Sequence, residues 1–158
     1  MSADRDGVGR IARLATDAGV RIATSEALTS GLVATRLGAG PEAAEWFSGG
    51  VVAYRESVKF EVLGVDEGPV VTARCAEQMA RGTARLLGAD LVVSATGVGG
   101  PDESEGKPPG TVYVAALMGN DVVVRELSLD GEPDEVLEAT VAQSLVLLEE
   151  VLRDLRAG

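Results

Sequence analysis

The residues best suited to chemistry cluster around one loop between two apolar segments. Residues 92–114, VVSATGVGGPDESEGKPPGTVYV, contain runs typical of buried strands, which we predict at 92–95 and 111–117. Thr96 directly follows the first run, and Lys107 is the cation of the loop. Because ligands bind outside the carboxyl ends of strands in open α/β sheets, backbone amides of the glycines could hold a phosphate or carboxylate there. The alternative is a surface loop whose glycines serve only its turns.

The first predicted strand covers residues 20–24, and a second group of polar residues follows it. Ser25, Thr29 and Ser30 precede the helical segment LVATRL. A strand, a polar turn and a helix N-terminus together are typical of an anion-binding site, in which these hydroxyls would be ligands. The alternative is that Thr29 or Ser30 only caps the helix.

A third group lies where a predicted strand at 48–54 meets a helix that ends near residue 63. Tyr54 and Lys59 could face a common cleft at this strand end. A lysine that is partly desolvated beside other positive groups can lose its proton and act as a base. The alternative is an exposed lysine on a solvated helix face.

The sequence contains no histidine and a single cysteine, Cys75. Mechanisms that need an imidazole base are therefore excluded, and so are the usual zinc sites. Any catalysis must use Lys, Tyr, Ser, Thr or carboxylates, and we expect neither a metal nor a cofactor. Cys75 lies in a helical pattern, so we expect it to be a small buried hydrophobe.

Length, composition and net charge limit the classes of protein to which this chain can belong. The 158 residues are predicted to form one domain, 1–158. Apolar residues make up 46% and aromatic residues 3%, so the core must consist of Val, Leu and Ala, as in a buried α/β sheet. The net charge of −11 argues against nucleic acid and anionic membranes as partners, although acidity also simply keeps a protein soluble. Without an apolar signal core or a run of about 18 apolar residues, we expect a cytoplasmic location.

The remaining pattern sets the fold class. Helices are predicted at 6–18, 72–87 and 133–155, and a short helical piece starts at Pro41 and carries Trp46 and Phe47 as core or interface residues. The runs at 111–117 and 121–129 predict a hairpin with Gly119-Asn120 as its turn. Early alternation of helices and strands, followed by two adjacent strands, predicts a three-layer α/β/α domain with a mixed sheet.

Three motifs make the chain resemble the CinA C-terminal domain family, whose active members are nicotinamide-nucleotide amidohydrolases. The family pattern E-S-C-T-G-G-L resembles EALTSGL at 26–32, and G-G-x-V-x-Y-S-N-x-x-K resembles GGVVAYRESVK at 49–59. The family's T-G-I-A-G-P, followed by a Gly-rich loop and K-P-x-G-T-V-Y, resembles TGVGGP at 96–101 and KPPGTVY at 107–113. The resemblance covers nearly the whole chain and implies the fold of that domain in a stand-alone form.

The resemblance also implies a reaction. Active relatives hydrolyse the carboxamide of nicotinamide mononucleotide to nicotinic acid mononucleotide and ammonia without a metal, with a serine nucleophile and a lysine base. This agrees with the absence of histidine, because Ser-Lys chemistry needs no imidazole. The implied catalytic positions are Lys59, Tyr54 and Thr96. The implied substrate-binding positions are Glu26, Thr29, Gly31, Gly49, Gly50, Gly97, Gly99, Gly100, Lys107 and Gly110.

The chain departs from the family pattern at its reactive positions. The nucleophilic serine falls on Ala27 and the following cysteine on Leu28, and a further family serine falls on Val71. Y-S-N has become YRE at 54–56. The family pattern G-D-R-x-x-(V/I)-R falls on GEPDEVL at 131–137, so both arginines, which could bind a phosphate, are missing.

Two functions follow from these departures. The first is an amidohydrolase with weak or lost activity on nicotinamide mononucleotide, in which Ser25 or Ser30 could supply a rearranged hydroxyl. The second is a catalytically silent member of the family that binds a nucleotide or a protein partner. We expect a small-molecule nucleotide as ligand, and a homo-oligomer for which the segment with Trp46 and Phe47 could form the contact.

Overall fold

A computed structural model describes the backbone of residues 2–157 and the side chains of residues 6–157. Helices and strands alternate up to the third strand, after which two strands and a long helix follow. In chain order the elements are α1 (Ser2–Ala18), β1 (Ile22–Glu26), α2 (Leu32–Gly38), a 3-10 turn (Ala43–Glu45), β2 (Phe47–Val52), α3 (Glu56–Leu63), α4 (Ala73–Leu87), β3 (Leu91–Gly97), β4 (Thr111–Met118), β5 (Asp121–Ser128) and α5 (Pro133–Ala157).

The five strands form one mixed sheet in the order β2-β1-β3-β4-β5. Strands β1, β2 and β3 are parallel, and β4 is antiparallel to both β3 and β5. Helices α1, α2 and α5 pack together on one face of the sheet, and α3 and α4 pack on the other. The predicted three-layer α/β/α architecture is confirmed, and so is the hairpin of the last two strands.

Aliphatic side chains fill the space on both faces of the sheet. The larger cluster joins the sheet to α1, α2 and α5 through residues such as Ile11, Leu91 and Leu148. A smaller cluster under α3 and α4 includes Leu63 and Met79. Trp46 is fully buried in the larger cluster, and its indole Nε1 donates to the carbonyl oxygen of Pro41 at 2.9 Å. Trp46 is therefore a core residue and is not available as an oligomer contact.

The strand boundaries differ from those expected at the site. Strand β1 begins at Ile22 and includes Ser25 and Glu26, and β3 continues to Gly97. Strand β1 is longer because it pairs with a strand on each side, with Glu26 opposite Val52 and Ala95. Strand β3 is longer because Gly97 still pairs with Val112 of β4. The polar residues 25–26 looked like the start of a turn because their buried partners are distant in the sequence. No helix in the described part of the chain is long and apolar enough to cross a membrane.

Candidate active site

An open cavity of about 340 Å³ lies at the carboxyl ends of the parallel strands. Ala27 follows the last residue of β1, and it lies beside Thr96 because Glu26 pairs with Ala95. The cavity therefore occupies the place that ligands take in open α/β sheets. Its lining consists of Ala27, Leu28, Tyr54, Glu56, Lys59, Val70, Val71, Thr96, Gly97, Gly99, Gly100, Ser104, Pro133 and Leu137.

Lys59 is the buried cation of this cavity. Its side chain is only 3% exposed, and Nζ donates to the carbonyl oxygen of Tyr54 at 3.0 Å. Burial lowers the pKa of Lys59, while Cys75, Glu56 and Glu105 act in the opposite direction. Because a lower pKa increases the share of neutral amine, Lys59 is suited to accept a proton from a bound ligand. The alternative of an exposed lysine on a solvated face is wrong.

Thr96 and Cys75 lie next to this lysine. The Thr96 hydroxyl donates to the carbonyl oxygen of Val70 at 2.8 Å, which fixes the side chain at the cavity wall. Burial raises the pKa of the Cys75 thiol to about 11, although Lys59 and a hydrogen bond with Thr96 oppose this shift. The thiol therefore stays protonated at neutral pH and is a poor nucleophile. Its burial agrees with the prediction of a small buried hydrophobe.

The mouth of the cavity carries the remaining polar side chains. Tyr54 is 69% exposed, and Glu56 is exposed in the first turn of α3. Ser104 is exposed on the loop between β3 and β4. Tyr54 and Lys59 do face a common cleft, as the sequence suggested, with Lys59 at its base and Tyr54 at its edge.

Glu26 is committed to the fold below the cavity. Its carboxylate accepts hydrogen bonds from the Thr24 and Thr29 hydroxyls at 3.1 and 2.7 Å. The backbone amides of Gly31, Val33 and Ala34 donate to the same carboxylate at 3.2, 2.9 and 3.0 Å. An internal carboxylate thus takes the place of the external anion that we expected at this helix N-terminus. Thr29 contributes to binding Glu26 and does not line the cavity.

Neither serine that could have supplied a replacement hydroxyl lines the cavity. The Ser25 hydroxyl donates to the carbonyl oxygen of Met79 at 3.2 Å and accepts from Thr83 at 2.9 Å, which directs it into the layer under α4. Ser30 is exposed, and its hydroxyl lies 3.5 Å from the carbonyl oxygen of Leu28. The structure thus brings Ala27, Lys59, Tyr54 and Thr96 together without Ser25 or Ser30.

The predicted glycine positions divide into two sets. Gly97, Gly99 and Gly100 line the cavity. A side chain at Gly97 would place its Cβ 2.6 Å from the carbonyl oxygen of Thr111, so this position keeps β3 and β4 paired. Outside the cavity, Gly31 is the N-cap residue of α2, and Gly49 and Gly50 lie in β2. The Gly110 amide donates to the carbonyl oxygen of Val98 at 2.8 Å. Gly50 packs directly against the Thr24 side chain.

Lys107 and Glu105 form a clamp, and only Lys107 of the two was predicted from the sequence as a site residue. The Lys107 ammonium group donates to the carbonyl oxygen of Val71 and lies 3.3 Å from the Tyr113 hydroxyl. The Glu105 carboxylate accepts the backbone amides of Val70 and Val71, each at 2.8 Å. We call residues 104–107 the clamp turn, because it fastens the Gly-rich loop to the wall of the cavity. Nothing in the sequence distinguishes Glu105 from the other carboxylates of this loop. Lys107 does not line the cavity.

Within residues 6–157 there is no cluster of three or more His, Cys, Asp or Glu side chains that could hold a metal ion. The polar groups that line the cavity are an amine, hydroxyl groups, one carboxylate and the backbone amides of the glycines.

Similarity to known proteins identifies the family. The family model of the CinA C-terminal domain matches residues 6–152. The chain belongs to the CinA C-terminal domain family. Among its relatives, a putative competence-damage inducible protein of Desulforamulus reducens is 37% identical over 148 residues, which cover 90% of this chain and 36% of the relative. Another, from Geobacillus kaustophilus, is 40% identical over 141 residues, covering 85% of this chain and 34% of the relative.

The chain therefore spans about a third of the length of these curated relatives. Solved structures of the CinA superfamily match it over nearly their whole length. A superfamily protein from Klebsiella pneumoniae superimposes with a TM-score of 0.92 at 28% identity, covering 96% of this chain and 98% of the other. The competence/damage inducible protein CihA from Agrobacterium tumefaciens has a TM-score of 0.83 at 30% identity, with 94% and 96% coverage.

Proposed function

We propose that this CinA-family chain binds a pyridine nucleotide or a close relative in its cavity, and that its hydrolysis of nicotinamide mononucleotide is weak or lost. The observation that carries the proposal is the position of Ala27. It lines the cavity beside Lys59 and Thr96, where the resemblance to active relatives expects the nucleophilic serine. A methyl group there leaves the amine without an attacking oxygen to deprotonate.

The hydroxyl groups of Ser25, Ser30 and Thr96 support this proposal because each has another role or another direction, and Ser104 lies on the exposed loop between β3 and β4. Ser25 is bonded to α4, Ser30 lies outside the cavity, and the Thr96 hydroxyl donates to Val70. Val71 also lines the cavity at a second position where relatives carry a serine. Loss of a nucleophile lowers turnover by several orders of magnitude, and binding and electrostatics supply what remains.

The retained cavity favours a small-molecule ligand over a protein partner. Its volume of about 340 Å³ lies within the range of small-molecule sites. Apolar walls and a few convergent polar groups are the usual composition of such sites, and this cavity offers Lys59, Thr96 and the glycine amides beside several aliphatic side chains.

The test is ammonia release from nicotinamide mononucleotide. We expect the native chain to turn over well below about 1 s⁻¹, the low end of typical enzyme rates. The variant Ala27→Ser should raise turnover at least about tenfold, and combining it with Lys59→Met should abolish the gain because the serine then lacks its base. The matched control is Ala44→Ser, which adds the same hydroxyl on the exposed 3-10 turn and should change nothing.

Binding is measured separately, by thermal shift with the mononucleotide and its acid, because a ligand that binds only the native state raises the melting temperature. Turnover by the native chain at about 1 s⁻¹ or faster would contradict the loss of activity. An Ala27→Ser variant without any gain would show that the cavity has diverged beyond the nucleophile position.

A further inference from the structure

Lys59 is a buried amine at the base of a cavity that lacks the serine it would serve as a base. Its side chain is 3% exposed and lines the cavity, and Nζ donates to one acceptor, the carbonyl oxygen of Tyr54. Within residues 6–157 it forms no ion pair. A buried ammonium group that is bonded only to a carbonyl is poorly compensated, and this favours the neutral, nucleophilic amine.

The polar neighbours of this amine leave it available as a nucleophile. Burial lowers the pKa of Lys59, so a larger share of the side chain is neutral than in an exposed lysine. The Tyr54 carbonyl accepts one N–H group, and the nitrogen of the neutral amine keeps its lone pair for a ligand. The Thr96 hydroxyl donates to the carbonyl oxygen of Val70, and the Cys75 thiol stays protonated because its pKa is about 11. Neither group therefore competes with the amine for a ligand.

The walls of the cavity suit a small, flat and largely apolar molecule. Aliphatic side chains form much of the lining, namely those of Leu28, Val70, Val71, Pro133 and Leu137. The volume of about 340 Å³ is near the lower limit of small-molecule sites, about 300 Å³. An aromatic ring gains free energy when it is buried against such walls, and a carbonyl group on the ring can then meet the amine.

We propose that Lys59 attacks the carbonyl carbon of small aldehydes that enter the cavity and forms an imine with them. Desolvated lysine amines are suited to this reaction with carbonyl compounds. The nitrogen lone pair adds to the carbonyl carbon, and the carbonyl oxygen leaves as water with the two hydrogens of the amine as the C=N bond forms. The ligand class is an aromatic aldehyde of about the size of a pyridine ring. The choice of a pyridine rests on the proposed function, whereas the reaction of the amine does not.

The test uses the small number of lysines in the chain, which has only Lys59 and Lys107. The native chain is incubated near neutral pH with pyridine-3-carbaldehyde, the imine is reduced with cyanoborohydride, and the digested peptides are analysed by mass spectrometry. We expect one pyridylmethyl group on Lys59, at a rate that saturates with aldehyde concentration because binding precedes the reaction. Lys107, whose ammonium group is bonded to Val71 and Tyr113, should be labelled more slowly and without saturation.

The variant Arg85→Lys supplies the matched control, because it adds an exposed lysine to the same molecule. Arg85 is exposed in the last turn of α4, outside the cavity lining. We expect Lys59 to be labelled at least about tenfold faster than the added lysine, since binding in the cavity holds the aldehyde beside the amine. Labelling of Lys59 that is no faster than that of the added lysine would overturn the proposal.

Two further probes, propanal and nicotinamide mononucleotide, separate this proposal from the proposed function. Propanal lacks a pyridine ring and tests the amine alone, whereas the mononucleotide should protect Lys59 from labelling if it binds in the cavity. Labelling of Lys59 by both aldehydes without such protection would refute the nucleotide site and leave the imine standing. A rise in melting temperature with the mononucleotide, together with an unlabelled Lys59 for both aldehydes, would refute the imine and leave the nucleotide site standing.

Discussion

At the scale of single residues, the site contains two buried charges that the fold treats differently. Glu26 receives two hydroxyl and three amide donors, so its charge is compensated within the protein. Lys59 donates to one backbone carbonyl and otherwise faces the cavity. A fully bonded buried charge stabilises its surroundings, whereas an incompletely compensated one is costly and reactive. We therefore assign Glu26 to the fold and propose a functional role for Lys59.

The role of Glu26 predicts a large loss of stability in Glu26→Gln. The amide side chain keeps one acceptor but turns an NH₂ group toward amide and hydroxyl donors, so several hydrogen bonds are lost at once. We expect the free energy of unfolding to fall by about 3 kcal/mol, measured by urea denaturation. Glu45→Gln removes the same charge from the exposed 3-10 turn and should change it by less than about 0.5 kcal/mol. Equal effects of the two variants would contradict the assignment.

The burial of Lys59 predicts a pH-dependent effect of Lys59→Met. Because the folded-state pKa lies below the ordinary 10.5, the unfolded chain binds more protons between these values, and stability of the native chain rises with pH across that interval. The variant lacks this contribution. Its stability relative to the native chain should therefore be highest near neutral pH and should fall as pH rises toward 10.5.

Urea denaturation at several pH values up to 10.5 measures this difference. Arg55→Met is the matched control, since it removes an exposed cation next to the same helix and should give a difference in stability that does not vary with pH. A stability difference for Lys59→Met that does not vary with pH would argue against a lowered pKa.

At the scale of secondary-structure elements, the clamp turn links the Gly-rich loop to the segment before α4. Glu105 and Gly106 both have positive φ angles, 54° and 73°, which turn the chain tightly so that Ser104 and Lys107 pair. The carboxylate and the ammonium group of this turn then bind the backbone of Val70 and Val71. Because these valines line the cavity and Val70 accepts the Thr96 hydroxyl, the clamp fixes one wall of the site.

The clamp predicts a local effect of Glu105→Gln. The carboxamide can accept one of the two amides but presents hydrogen atoms to the other, so we expect a loss of about 1 kcal/mol in the free energy of unfolding. Hydrogen exchange at the Val70 and Val71 amides should accelerate by more than the global loss accounts for, because the segment opens locally. Glu103→Gln, on the same loop and exposed, is the control and should leave exchange at both amides unchanged.

At the scale of the whole molecule, the parallel strands place their carboxyl ends at one edge, and the connections after β1, β2 and β3 meet there. The cavity opens at this edge, beside Pro133 at the start of α5.

The sequence by itself determined the element order, the fold class and the edge of the sheet at which the cavity lies. Those results depend on local signals: apolar runs at 111–117, the Gly119-Asn120 turn, the glycines after α3 and α4, and the amphipathic repeat of the last helix. The absence of histidine likewise excluded whole classes of mechanism without any coordinates. Local patterns suffice for such conclusions because they depend on neighbouring residues in the chain.

Only the tertiary structure decided what the individual polar side chains do. Ser25 bonds to a residue 54 positions away, and Glu105 to one 35 positions away, so neither contact leaves a trace in the local pattern. The same limit applies to Lys59, whose burial depends on the packing of α3 against α4 and the sheet. Chain folding brings together residues whose spacing in the sequence is arbitrary, and this is why a hydroxyl that looked available at Ser25 or Ser30 lies outside the cavity that Ala27 lines.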